Sequence, residues 1–140
     1  MTNRASAAQV LLVEDDTSLA EAIVHVLAEA SISTVVAKSV AEATLHNLSS
    51  YSVVLLDLKL PGQSGLQFLE YLSKQHISVK VIVITNMSDD DLFAQARAHG
   101  VCDYVIKSNI SLKGVREKVV QVIESGSCLQ PFDCVQYNGE

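Results

Sequence analysis

Asp57 closes the apolar run Val53-Val54-Leu55-Leu56 and stands just before Leu58-Lys59-Leu60-Pro61-Gly62. A run of that kind reads as a buried strand, and open parallel sheets place their ligands at the C-terminal tips of such strands. A second run, Val10-Leu11-Leu12-Val13, ends in Glu14-Asp15-Asp16. Two buried strands that each deliver carboxylates to the same rim make a pocket for a divalent cation. A carboxylate beside that cation is a potential nucleophile.

The elements that would position these groups alternate along the chain. Val10 to Val13 is the first strand. Leu19, Ile23, Val26 and Leu27 then follow helical spacing, with Asp16 or Thr17 as N-cap. Thr34 to Ala37 is a second, shorter strand, and Ser39-Val40-Ala41-Glu42 has the form of a capping box opening a helix that carries Leu45 and Leu48. Val53 to Asp57 is the third strand, followed by a helix over 65–75 with Leu66, Leu69 and Leu72 on one side. Val79 to Thr85 is the fourth. Its helix is capped by Ser88 or Asp89 and stops near Gly100. Tyr104 to Lys107 is the fifth strand. The last helix, capped by Ser111, turns Leu112, Val115, Val119, Val120 and Ile123 to the sheet. Apolar strands alternating with helices predict an α/β fold with a parallel sheet covered on both faces and right-handed crossovers.

Composition narrows the function classes. The 140 residues are 49% hydrophobic and 19% charged, a foldable globular balance. Ten basic against sixteen acidic residues give a net charge of −6, which argues against direct nucleic-acid binding by this domain. No apolar stretch approaches the roughly 20 residues needed to span a bilayer, and residues 1–7 lead into no signal-type segment. Three cysteines form no CxxC pair. Cys102 reads as a small core residue, and a reducing cytoplasm is the default compartment. His25, His46, His76 and His99 are scattered and read as surface residues.

Strand ends and adjacent loops now hold Glu14-Asp15-Asp16, Asp57, Thr85-Asn86 and Lys107, with Tyr104 just upstream of the lysine. On Leu11-Leu12-Val13-Glu14-Asp15-Asp16, Leu55 to Gly65, Val81 to Thr85 and Asp103 to Lys107, the chain resembles the CheY-like receiver domain of two-component response regulators. The resemblance covers about residues 8 to 124. It implies a doubly wound, flavodoxin-like sheet of five parallel strands in the order 2-1-3-4-5. The expected organisation is an N-terminal tail over 1–7, a receiver domain over 8–125, and a C-terminal tail or truncated linker over 126–140.

The family's chemistry implies that Asp57 accepts a phosphoryl group from a sensor histidine kinase or phosphotransfer protein. Mg²⁺, with Mn²⁺ as a substitute, would be held by Glu14 (through water), Asp15, Asp57 and the backbone carbonyl of Lys59. Lys107 would pair with Asp57 at rest and with the phosphate afterwards. Thr85 would donate to another phosphate oxygen, and Tyr104 would rotate inward. The face formed by the fourth helix, fifth strand and fifth helix would then change shape, and that face commonly mediates homodimers. Asp16 fits an N-cap role at least as well as a site role.

Three departures from the family's pattern matter. Ser108 follows Lys107 where a cis-proline is usual, so the loop either holds a costly cis bond or is trans with a different lysine approach. Asn86 stands where a smaller residue is typical. Lys59 and Met87 offer neither carboxylate nor amide to orient an attacking water, which predicts slow hydrolysis of the phosphoryl group. The alternatives are a phosphorylation-independent receiver-like interaction domain and an Asp-dependent phosphohydrolase of the haloacid dehalogenase kind. The second lacks its acid/base Asp, because Lys59 occupies that place. With no DNA-binding segment following, the chain reads as a stand-alone regulator or as the receiver of a longer one.

Overall fold

A computed structural model describes residues 8–60, 62–85 and 90–125. The elements run β1 (Gln9–Val13), α1 (Thr17–Ala28), β2 (Ser33–Ala37), α2 (Val40–Ala43), β3 (Val53–Leu56), α3 (Gly65–Lys74), β4 (Lys80–Thr85), α4 (Asp90–Ala98), β5 (Asp103–Ile106) and α5 (Leu112–Ser125). Short 3₁₀ turns at Leu48–Ser50 and Lys107–Asn109 precede β3 and α5. The five strands are parallel and ordered β2-β1-β3-β4-β5, as the resemblance implies.

Strand side chains alternate between faces, so each run fills two cores at once. Val10, Leu12, Val53, Leu55, Ile82 and Ile84 pack beneath α1 and α5 with Ile23, Leu27, Val119 and Val122. Leu11, Val13, Val54, Leu56, Val81 and Val83 pack on the other side with Ala43 of α2, Phe68 and Leu72 of α3, and Ala96 of α4. This explains why β3 is apolar at every position, whereas the edge strand β2 is only partly buried. No described helix is long and apolar enough to cross a membrane.

Capping fixes where helices begin. Asp16 caps α1 by accepting from the Leu19 N–H at 3.0 Å, so its sequence-level role as N-cap stands. Ser64 and Gln67 form a full capping box at α3. At α2 the box is shifted: Ser39 accepts from the Glu42 N–H, but the Glu42 carboxylate reaches the Lys38 N–H instead of that of Ser39.

Two helical expectations need correction. The second helix does not carry Leu45 and Leu48. It stops at Ala43, Leu45 is 83% exposed, and Leu48 is buried from the separate 3₁₀ turn. Thr44, His46 and Asn47 are weak helix formers, and the Thr44 hydroxyl donates back to the Ala41 carbonyl. In α5, Leu112 lies at the exposed rim as the first helical residue, and Val122 joins Val115 and Val119 in the buried stripe. Gly100 ends the turn after α4 with φ of 80°, a conformation that suits glycine. Ser88 and Asp89, read as caps of α4, lie outside the described residues.

Cys102 is buried as expected, yet it is also disulfide-bonded, a pairing that three cysteines in sequence did not announce.

Candidate functional site

The parallel ladder runs one step beyond the strands and aligns the acidic residues. The Glu14 N–H donates to the Ala37 carbonyl at 2.9 Å, and the Asp57 N–H donates to the Val13 carbonyl at 3.1 Å. Glu14 and Asp57 are therefore held by adjacent backbone at the C-terminal rim, 1% and 4% exposed. Asp15, at a bend between β1 and α1, is exposed. One carboxylate oxygen from each of Glu14, Asp15 and Asp57 lies within 4.8 Å of the others. Hard oxygen donors at that spacing suit Mg²⁺, which takes a few carboxylates and keeps waters in its remaining positions.

Lys107 closes the cluster. Its Nζ donates to Glu14 Oε1 at 2.9 Å and to Asp57 Oδ2 at 3.1 Å. The resemblance implied the second contact but not the first. No described peptide bond is cis, so the Lys107–Ser108 bond is trans, and the lysine reaches the carboxylates from the 3₁₀ turn that follows β5. The other Asp57 oxygen, Oδ1, accepts the Lys59 N–H at 3.0 Å. Both oxygens of Asp57 are thereby oriented.

Burial raises the Glu14 carboxyl above its ordinary range, and the nearby Asp57 charge pushes the same way, against the bond from Lys107. Burial alone would lower Lys107, but the Glu14 hydrogen bond and the Asp57 charge outweigh it and hold the ammonium above its usual value. One ammonium thus bonds two of the three clustered carboxylates, Glu14 and Asp57. The excess negative charge is what a divalent cation would neutralise.

Local packing fixes the β3–α3 loop. The Gly65 N–H donates to the Leu58 carbonyl at 2.8 Å. A Cβ at Gly65 would stand 2.6 Å from the Asp57 carbonyl oxygen and 2.8 Å from Leu58 Cα. Only glycine allows the helix to approach the aspartate backbone this closely. Sequence reading included Gly65 in the family motif and at the helix start but gave it no packing role; Ser64 and Gln67 around it carried a readable capping-box signal. Beside the loop lies a hollow of about 550 Å³ lined by Asp15, Leu58, Lys59, Leu60, Ser64 and Leu92.

Thr85 and Tyr104 are near the rim but do not bond to the carboxylates. Thr85 ends β4, is buried, and its hydroxyl finds no hydrogen-bond partner among the described residues. Tyr104 sits on β5 opposite Val83, 4% exposed within the core cluster on the α2–α4 side. The resemblance implied an inward rotation of this residue, which is buried in this structure. Asn86 and Met87 lie outside the described residues.

The comparisons with known proteins agree with this geometry. The family profile described as response regulator receiver domain matches residues 10–119. The chain is 35% identical over 103 residues to the transcriptional regulatory protein MalR of Bacillus subtilis, covering 70% of this chain and 43% of that protein. It is 35% identical over 103 residues to the response regulator protein FleR of Pseudomonas aeruginosa, covering 72% of this chain and 22% of that one. The chain therefore spans less than half the length of these relatives. Among solved structures, the receiver domain of Francisella response regulator 1452 superposes with a TM-score of 0.76 at 27% identity, covering 86% of this chain and 99% of that one. The non-phosphorylated HemR receiver domain of Leptospira biflexa gives 0.75 at 26%, covering 83% and 94%. With its parallel 2-1-3-4-5 sheet and acidic rim, the chain belongs to the receiver domain family of two-component response regulators.

Proposed function

We propose that Asp57 is the phosphoacceptor of a signalling switch, charged by a sensor histidine kinase or phosphotransfer protein in the cytoplasm. The observation that carries this reading is the Asp57 carboxylate itself. It is buried, held at both oxygens, 3.1 Å from Lys107, and grouped with Glu14 and Asp15. A carboxylate oxygen of Asp57 attacks phosphorus, the bond to the donor histidine nitrogen breaks, and that nitrogen leaves with its electron pair and takes up a proton. The hollow beside Asp15 and Lys59 gives the donor its approach.

Glu14, Asp15, Asp57 and the Lys59 carbonyl would hold Mg²⁺, with Mn²⁺ as substitute. That ion would neutralise charge on the transferring group. Lys107 is already placed to follow the charge. It bridges Glu14 and Asp57 at rest, and the new phosphate oxygens draw it without a large movement. The buried Thr85 hydroxyl supplies a second donor to the phosphate. Because Tyr104 is already buried, the response of the α4–β5–α5 face is read as repacking around this ring, not as a swing in from solvent. The same face would serve a homodimer or an output partner.

Incubating the protein with acetyl phosphate, with and without Mg²⁺, and measuring intact mass tests this directly. The expected result is a Mg²⁺-dependent gain of one phosphoryl group that is absent in Asp57→Asn. No gain in the native protein, or an equal gain in the variant, would overturn the assignment. Following the adduct in time tests its persistence: Lys59, exposed and without a group to orient water, predicts decay slower than seconds.

A further inference from the structure

Lys107 reaches Glu14 and Asp57 from a 3₁₀ turn, Lys107–Asn109, that no proline fixes and no side chain caps at its start. Ile110 follows in extended backbone, with φ of −142° and ψ of 144°. Ser111 then caps α5. Its hydroxyl accepts the Gly114 N–H at 3.0 Å, and its carbonyl accepts that of Val115 at 3.0 Å. Ile110 is thus the residue just before the cap, and Val115 is the fourth in the helix. An apolar pair at those two places fixes the angle at which a chain enters a helix. Ile110 packs on the core beneath α1 and α5, and with Val115, Leu19, Ile84 and Lys107 it lines a hollow of about 200 Å³.

Gly114 makes room for this seat. A Cβ there would stand 2.6 Å from Ile110 Cγ1 and 3.1 Å from Ile110 Cδ1. Glycine is the poorest helix former after proline, so its place inside α5 calls for a packing reason. The close approach of Ile110 supplies one.

We propose that Ile110, seated over Gly114, is a positioning residue that holds the Lys107 ammonium on Glu14 and Asp57. Ser108 leaves the backbone unconstrained where a proline would lock it, so the turn is fixed from its far end instead. A methyl group at position 114 must push Ile110 Cγ1 from 2.6 Å to the ordinary range beyond 3.4 Å. Isoleucine is stiff at χ1, so that push passes into its backbone and on to the turn that carries Lys107. The hollow takes up the displaced side chain, and the fold survives while the turn moves. The effect on phosphorylation rests on the phosphoacceptor reading of Asp57; the placement of Lys107 does not.

The test compares the native protein with Gly114→Ala and Ile110→Ala, each also in a Lys107→Met background. Lys107 is labelled with a small amine-reactive ester in Mg²⁺-free buffer and quantified by peptide mass against the exposed Lys113. Labelling of Lys107 is expected to rise severalfold in both single variants, because an ammonium released from two carboxylates becomes accessible. Phosphorylation by acetyl phosphate at saturating Mg²⁺ should slow about tenfold in both, the scale of a catalytic group misplaced by somewhat less than about 1 Å. In the Lys107→Met background the same substitutions should have no further effect, which a general loosening of the fold would not produce. Ile110→Ala empties the seat without crowding it, and so carries the test if Gly114→Ala fails to fold. Native-level labelling of Lys107 in either folded variant, or a slowing that persists in full without Lys107, would overturn the proposal. Raised labelling with no phosphoryl gain in the native protein would sink the phosphoacceptor reading and leave the positioning role standing.

Discussion

Asp57 and Asp103 are both buried, and both meet a lysine ammonium, at 3.1 Å from Lys107 and 2.8 Å from Lys118. Asp57 stands past the C-terminal end of β3; Asp103 opens β5 at the opposite end of the sheet. Around Asp57 the charges do not balance, since Glu14 and Asp15 crowd the same space and the Lys107 ammonium bonds only Glu14 and Asp57. Around Asp103, the carboxylate meets the Lys118 ammonium, and its other oxygen accepts the Tyr104 N–H at 2.8 Å. The same residue types therefore do different work. A matched pair fastens a helix to a strand, while an unmatched cluster stores electrostatic demand that a cation or phosphoryl group can meet.

Removing the lysines should separate the two roles most sharply. Lys107→Met is expected to slow phosphorylation of Asp57 by about 10²-fold, the scale of losing one preorganised electrostatic partner. Lys118→Met should leave that rate unchanged. Rates of mass gain with acetyl phosphate at saturating Mg²⁺ check both. If the two variants slow phosphorylation alike, the contrast between the regions fails.

Cation binding gives the next largest effect. Mg²⁺ at about 100 times its dissociation constant should stabilise the native fold by about 2.7 kcal/mol. Asp15→Asn should lose most of that gain, because Asp15 is the exposed member of the triad and carries little packing. Asp103→Ala should keep it in full. Thermal denaturation with and without Mg²⁺ measures each.

Stability itself should respond in the opposite order. Asp103→Ala leaves Lys118 half-stranded and the Tyr104 N–H without its acceptor, at a cost of about 2 kcal/mol. The lysine is a third exposed, so water recovers part of the loss. Urea denaturation should show that drop while phosphorylation persists at conditions where the variant is folded.

Much of this contrast could be read from the chain before any coordinates. Glu14, Asp15, Asp57 and Lys107 declared themselves because continuous apolar runs fix where buried strands end, and a parallel sheet gathers those ends on one rim. The Lys107–Glu14 contact was not legible, since it joins residues 93 apart through the register of four strands and the path of a 3₁₀ turn. Gly65 was silent for a related reason: its need appears only where α3 meets the Asp57 backbone. The second helix was overextended because Leu45 and Leu48 fit a helical period, while the weak propensities of Thr44, His46 and Asn47 decided the outcome. Asp103 entered the sequence reading only as part of the family motif, with no role of its own, since its partner is fifteen positions away on α5.

The smallest effect is also the most diagnostic of imbalance. The Glu14 carboxyl titrates above its ordinary value of 4.5 in the folded protein, chiefly because it is buried. The folded state therefore holds that proton more tightly than the unfolded chain, and ionising Glu14 works against folding. The cost is absent below the unfolded value, builds as pH rises from there to the folded value, and stays constant above it. Glu14→Gln removes the charge while keeping an oxygen to accept from Lys107. It should match the native protein near pH 4 and gain stability relative to it by pH 7, in Mg²⁺-free buffer. Adding Mg²⁺ should reverse the ranking at pH 7, because the cation rewards the ionised carboxylate. Paired urea titrations across that range decide the matter. A Glu14→Gln protein that loses stability at pH 7 without Mg²⁺ would mean that the Lys107 bond outweighs burial, and that the rim is balanced after all.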